Sequence, residues 1–261
     1  MALLEVKAIT LTFRGLAALM NVGFVVEEGE VVSLIGPNGA GKTSMLNCIS
    51  GRYHPDSGDI LLAGRSLLAL KAHRRTELGL SRTFQNIALF KGLSVLDNLM
   101  VGRHSRMDYG LLAALCYWGK ARRVEDAHRR RVEDIIDFLG LSPYRHHVAG
   151  RLPYGVQKRV ELGRALAAES KLILLDEPMA GMNLEETEDM ARYILDINEE
   201  WGLTVLLVEH DMGVVMDISD KVVVLDFGSV LATGTPEEVQ NNTEVVAAYL
   251  GSDESALFLG R

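Results

Sequence analysis

Apolar residues fall along this chain in three rhythms. Near the N-terminus, ITLTF and NVGFVV read as short alternating strands, each with one solvated face, and turn signals such as EEGE follow. VVSLI (31–35), KLILLD (171–176) and LTVLLVEH (203–210) are instead apolar almost throughout. Runs of that length and kind predict strands buried on both faces, as in a parallel sheet. Between the last two, NLEETEDMARYILDINEEWG places Met190, Ile194, Leu195 and Ile197 at helical spacing, with Gly202 at its end. Strand, helix and strand in succession predict an α/β core.

Residues 88–168 follow another rhythm. SVLDNLMVGR opens on a capping-box pattern, Ser94 and Asp97. RVEDIIDFLGL puts Val132, Ile135, Ile136 and Leu139 on one helical face. With few strand signals, 88–168 reads as a helical subdomain inserted into a core built from 1–87 and 169–261, all within one domain. The chain then returns to a hairpin-like VVVLDFGSVLATG and a short helix from Pro236. Asp226-Phe227-Gly228 superficially matches the metal motif of protein kinases. Its companion motifs are missing, so it is assigned to the hairpin turn.

The chemistry is concentrated at strand ends. GPNGAGKT (36–43) fits G-x-x-x-x-G-K-[ST] and sits between a buried strand and a helix, the context that motif requires. Gly36, Pro37, Asn38, Gly39, Ala40, Gly41, Lys42, Thr43 and Ser44 are therefore candidate nucleotide-binding residues. Successive backbone N–H groups and the helix dipole attract phosphate oxygens. Lys42 is expected to reach the β- and γ-phosphates of a nucleotide, and the Thr43 hydroxyl to ligate Mg2+. Asp176 ends an apolar strand, where a carboxylate is costly unless paired; a Mg2+ shell is one such partner. Glu177, one residue on, is placed to act as general base on water. A helix-capping acidic pair is the plainer alternative. Gln85, in RTFQN, is a candidate bridge from metal or water to the helical insert. His210 is a candidate γ-phosphate sensor or partner of Glu177. In isolation a Gln or His at a strand end is more often a satisfied surface residue.

Composition narrows the partners. The 261 residues are 48% hydrophobic and 24% charged, ordinary for a globular chain with a full core. A net charge of −8 supplies no basic field for nucleic acid. The basic run ARRVEDAHRRRVED (121–134) alternates with acids and reads as a solvated helix face. Cys48 and Cys116 lie in apolar settings, which points to two reduced, buried thiols. The apolar run LLAALCYW (111–118) is far too short to span a bilayer. His73, His104, His128, His146 and His147 show no metal-ligand spacing.

Taken in order, Phe13, GPNGAGKT, Gln85, LPYGVQKR, LILLDEP and VEHD resemble the nucleotide-binding subunit of ATP-binding cassette (ABC) transporters over nearly the whole chain. The resemblance implies a P-loop NTPase (RecA-like) core with a mixed sheet, an antiparallel β subdomain and an inserted helical subdomain. It implies that Phe13 stacks on adenine, that Gln85 is the Q-loop residue ligating metal, and that His210 is the switch histidine. Catalysis then falls to Glu177, His210 and Lys42, and Mg2+ to Thr43, Gln85 and Asp176. AGMN (180–183) stands at the D-loop without that loop's usual aspartate. The insert LMVGRHSRMDYGLLAALCYW, VEHDM and the ending VLATGTPEEVQNNTEVVAAYLG are similar to ATPases of branched-chain amino-acid importers. Relatives serving urea, amides or other amino acids share much of this pattern. ABC proteins acting on ribosomes or DNA carry two cassettes or a long coiled coil, and P-loop kinases and GTPases lack a signature loop.

The same resemblance puts LPYGVQ at the signature loop, usually LSGGQ, which caps ATP held by another subunit. Pro153 stands in place of serine and Tyr154 in place of the first glycine, followed by Gly155, Val156 and Gln157. Proline offers neither hydroxyl nor backbone N–H. Read from its residues alone, this segment is either a plain helix start or half of a phosphate site. The implied partners are a second ABC ATPase, different or identical, two membrane permeases and, indirectly, a periplasmic substrate-binding protein. The implied location is peripheral, on the cytoplasmic face of the inner membrane.

Overall fold

The computed structural model describes residues 1–85, 87–106 and 120–250. The N-terminal alternation becomes one long hairpin, β1 (Ala2–Phe13) with β2 (Leu16–Glu27), turning at Arg14 and Gly15 with positive φ at both. Both strands outrun the segments expected from periodicity. Register shifts between Val6 and Ile9 and again beyond Ile9 re-aim side chains, so pairing continues where alternation breaks. β3 (Val31–Ile35) is buried along its length and leads through the glycine-rich loop into α1 (Lys42–Ser50). β4 (Ser57–Leu62) and β5 (Arg65–Ser66) complete an antiparallel sheet in the order β2-β1-β4-β5. α2 (Ala72–Glu77) and β6 (Leu80–Arg82) follow.

The chain separates into two compact units, one from Met1–Arg82 together with the chain from Lys171, the other from Thr83–Ser170. The second unit is helical: α3 (Val95–Gly102), α4 (Lys120–Phe138) and α5 (Tyr154–Ala167). Val132, Ile135, Ile136 and Leu139 of the expected apolar face are all buried. Ser94 caps α3 by accepting the Asp97 N–H, but the Asp97 carboxylate takes the Ser94 hydroxyl (2.6 Å) rather than closing a full capping box. Cys116, LLAALCYW and the rest of 107–119 lie outside the described residues.

In the first unit, β7 (Leu172–Asp176), α6 (Leu184–Glu199), β8 (Thr204–Val208) and α7 (Met212–Ile218) precede the hairpin β9 (Lys221–Asp226) and β10 (Ser229–Gly234), then α8 (Pro236–Gln240) and α9 (Thr243–Leu250). The second sheet runs β10-β9-β3-β8-β7-β6, parallel except for the β9–β10 edge. Its apolar runs are explained by cover on both faces. Val32, Leu34, Val223 and Leu225 pack with α1 and the antiparallel sheet, whereas Ile35, Val222 and Val224 pack with α7, Val239 and Tyr249. Cys48 is buried and unpaired, and burial pushes its thiol up to about 11, so it is a small core hydrophobe. Among the described residues, no helix is long and apolar enough to cross a membrane.

Candidate nucleotide site

The loop after β3 can be built only with glycine at its close contacts. A Cβ on Gly36 (φ +146°) would stand 2.0 Å from the Leu225 carbonyl oxygen, and one on Gly41 (φ +106°) 2.7 Å from that of Ala18. Gly41 is the N-cap of α1, so the helix starts where the loop ends. The Asp226–Gly228 turn braces the loop from outside. Gly228 N–H donates to the Ala40 carbonyl (3.0 Å), while Met20 N–H donates to the Gly228 carbonyl (2.7 Å). Residues 38–44, with Ala18 and Glu177, line an open cavity of about 190 Å³. The Lys42 ammonium folds back to the carbonyls of Gly36 and Pro37, the latter at 3.1 Å.

The cavity fits a polyphosphate: it presents a helix N-terminus and a lysine ammonium in a glycine-rich lining. It also suits Mg2+ held through phosphate. Among the described residues no group of three His, Cys, Asp or Glu could cage an ion by itself, and Mg2+ bound by one or two side chains plus substrate oxygens needs none.

Glu177 enters this cavity from the end of β7. Its backbone is left-handed (φ +49°), a strained state for a non-glycine residue, and its N–H donates to the Val208 carbonyl at 2.8 Å. Asp176, where the sequence called for some pairing group, has a protein partner. Arg82 of β6 meets its carboxylate at 2.8 Å, with both side chains over nine-tenths buried. Arg82 also donates to Asn47 and Ser50 of α1, both at 2.8 Å, tying the loop helix to β7. The described helix that follows the acidic pair, α6, is capped by Asn183 of AGMN, in a capping box with Glu186. His210 is exposed two residues beyond β8, its Nδ1 3.5 Å from buried Glu209. Phe13, 42% exposed at the end of β1, stands edge-on to Tyr53 with ring centroids 5.1 Å apart. Gly36, Pro37, Phe13, Asp176 and His210 are not part of the cavity wall.

In the helical unit, LPYGVQ is a helix start. Pro153 is the N-cap of α5 and supplies no side-chain acceptor. Pro153 and Tyr154 are exposed, Gly155 and Val156 buried, and the Gln157 amide donates to the Leu152 carbonyl at 2.8 Å. Farther along α5, Lys158 donates to the Gln85 carbonyl (3.2 Å), and Glu161 accepts the N–H groups of Phe84 (3.5 Å) and Ala88 (3.2 Å). Arg164 donates to the Ala88 carbonyl. Burial pushes the Glu161 carboxyl above its ordinary range, against the N–H of Ala88 and the charge of Lys158. One face of α5 thus holds the backbone that carries Gln85.

Sequence reasoning missed Arg82, Glu209, Lys158 and Glu161. Each has a partner far along the chain, and only Glu209 left a local trace, a charge closing the apolar run LTVLLVEH.

A braced phosphate loop, a strained glutamate at its rim and a mixed sheet covered on both faces define an ATP-binding cassette. The chain belongs to the ABC transporter family, whose sequence model matches residues 19–180. A second model, "Branched-chain amino acid ATP-binding cassette transporter", matches 229–255. The chain is 42% identical to the "High-affinity branched-chain amino acid transport ATP-binding protein BraF" of Pseudomonas aeruginosa, over 95% of this chain and 98% of that protein. Among solved structures it resembles the ADP conformation of the cassette MJ1267 (TM-score 0.83, 31% identity, 97% of this chain and 100% of that one). It also resembles the dimeric, post-hydrolysis cassette MJ0796 bound to ADP and Pi (TM-score 0.76, 26% identity, 89% and 98%).

Proposed function

We propose that this chain is the ATP-hydrolysing subunit of an importer for branched-chain amino acids, working on the cytoplasmic face of the inner membrane. One observation carries the reading: residues 38–44 and Glu177 converge on one cavity in a chain of this family. In this reading the N–H groups of the loop and Lys42 hold the β- and γ-phosphates, and Phe13 stacks on adenine. Thr43, Asp176 and Gln85 are the residues that would hold Mg2+, and the ion would supply neutralisation of phosphate charge. Glu177 orients the attacking water and accepts its proton, and His210 faces the γ-phosphate. Leu152–Gln157 of one cassette closes over ATP held by a second, different or identical, and hydrolysis reopens the pair. Two permeases take up that motion, and a periplasmic binding protein selects the solute.

The test is Glu177→Gln in the assembled transporter. It should bind ATP, lose at least about 100-fold in turnover, and hold the closed pair of cassettes together. Unimpaired turnover would remove Glu177 from the reaction. Loss of labelled-leucine uptake on deletion of the chain, with uptake of unrelated solutes intact, checks the substrate class.

A further inference from the structure

Glu209 has no place in the motifs above, yet it is only 1% exposed. One carboxylate oxygen, Oε1, accepts the N–H of Met179 at 2.8 Å, and the other, Oε2, accepts the N–H of His210 at 3.1 Å. Met179 lies two residues beyond Glu177, in a turn where the Ala180 N–H returns to the Glu177 carbonyl at 3.3 Å. The segments leaving β7 and β8 are thus joined twice: by Glu177 N–H to Val208, and by this carboxylate. Burial holds the Glu209 carboxyl above its ordinary range although both N–H groups and His210 favour its charge. A solvent-facing residue would carry no such cost.

We propose that Glu209 is a positioning residue for ATP hydrolysis: its two oxygens fix the Glu177 turn and the His210 segment in one register. The proposal rests on the function proposed above. It has a sharp chemical consequence, because both oxygens take N–H donors. Glutamine at this site offers one acceptor and one NH2 group. Whichever way the amide lies, an N–H of Met179 or His210 faces another donor.

The experiment compares wild type, Glu209→Gln, Glu209→Met, His210→Ala and the Glu209→Gln/His210→Ala double variant, as full-length chains in the transporter assembly. Amide exchange at Met179 and His210 should quicken about tenfold at one site in Glu209→Gln and at both in Glu209→Met, with residues 36–44 unchanged. Turnover should fall about tenfold in Glu209→Gln while KM for ATP stays within about twofold. In the double variant the two losses should combine to less than their product, since part of the Glu209 effect runs through the His210 segment. Unchanged exchange at both amides overturns the proposal. So does faster exchange without loss of kcat, and so do losses that multiply in the double variant. Should Glu177→Gln keep full turnover, the functional reading fails instead, and amide exchange still decides whether the carboxylate joins the two segments.

Discussion

At the scale of single residues, the site depends on charges whose partners the chain brings from far away. Arg82 and Asp176 are 94 positions apart and almost wholly buried together. Removing one member takes the opposite charge away from the other in a buried site, which costs roughly 3–5 kcal/mol. Arg82→Ala should therefore lower unfolding stability by about that amount in urea titration; a change below about 1 kcal/mol would show that water replaces the guanidinium. Pro153 makes the opposite kind of prediction. A serine there would restore a cap acceptor at the start of α5, so Pro153→Ser should leave ATP turnover unchanged or raise it. A fall in turnover would show that the proline itself is needed. The glycine-rich loop and the helix after it were legible in the sequence because the motif is contiguous, from Gly36 to Ser44. Arg82, Glu161 and Glu209 were not, since a charge reads as surface until its distant partner is known.

At the scale of elements, periodicity located the buried strands because cover on both faces demands an unbroken apolar run. It shortened β1 and β2, whose register shifts break the alternation that marks a strand. It also gave no sign of what holds the far end of α5. There Arg103 donates to the Ala167 carbonyl (3.0 Å) and pairs with Glu169 (2.8 Å), while Arg106 donates to the Ala168 carbonyl (3.0 Å). His128 of α4 accepts from Arg103 at 2.8 Å. Burial, then the Arg103 charge, pushes the His128 imidazole below its usual 6.5. Burial also works against the Glu169 carboxylate, but the bond from Arg103 and the charges of Arg103, Arg131 and Arg106 outweigh it and pull the group below 4.5.

Both shifts make the helical unit sensitive to acid. Unfolded His128 takes up a proton near pH 6.5 while the folded form resists, so stability falls as pH drops from there toward the folded value. The Glu169 contribution is present above pH 4.5 and is lost as pH falls through its depressed value. Thermal melting at pH 7 and pH 5.5 should show a drop for the wild type that His128→Gln reduces. Equal drops in both proteins would contradict the assignment.

At the scale of the whole molecule, the residues that the proposed function uses are divided between the two units. Lys42 and Glu177 belong to the first unit, and the Pro153–Gln157 segment to the second. In the proposed function the second unit of one chain serves the ATP of another. A net charge of −8 does not favour anionic lipid, so in the proposed function protein partners hold the chain at the membrane. The most direct measurement is specific ATPase activity of the purified chain across a dilution series, with and without a partner cassette, alongside sedimentation. Turnover per chain should rise as cassettes associate and vanish where sedimentation finds only monomer. Constant specific activity down to a strictly monomeric solution would contradict the shared site.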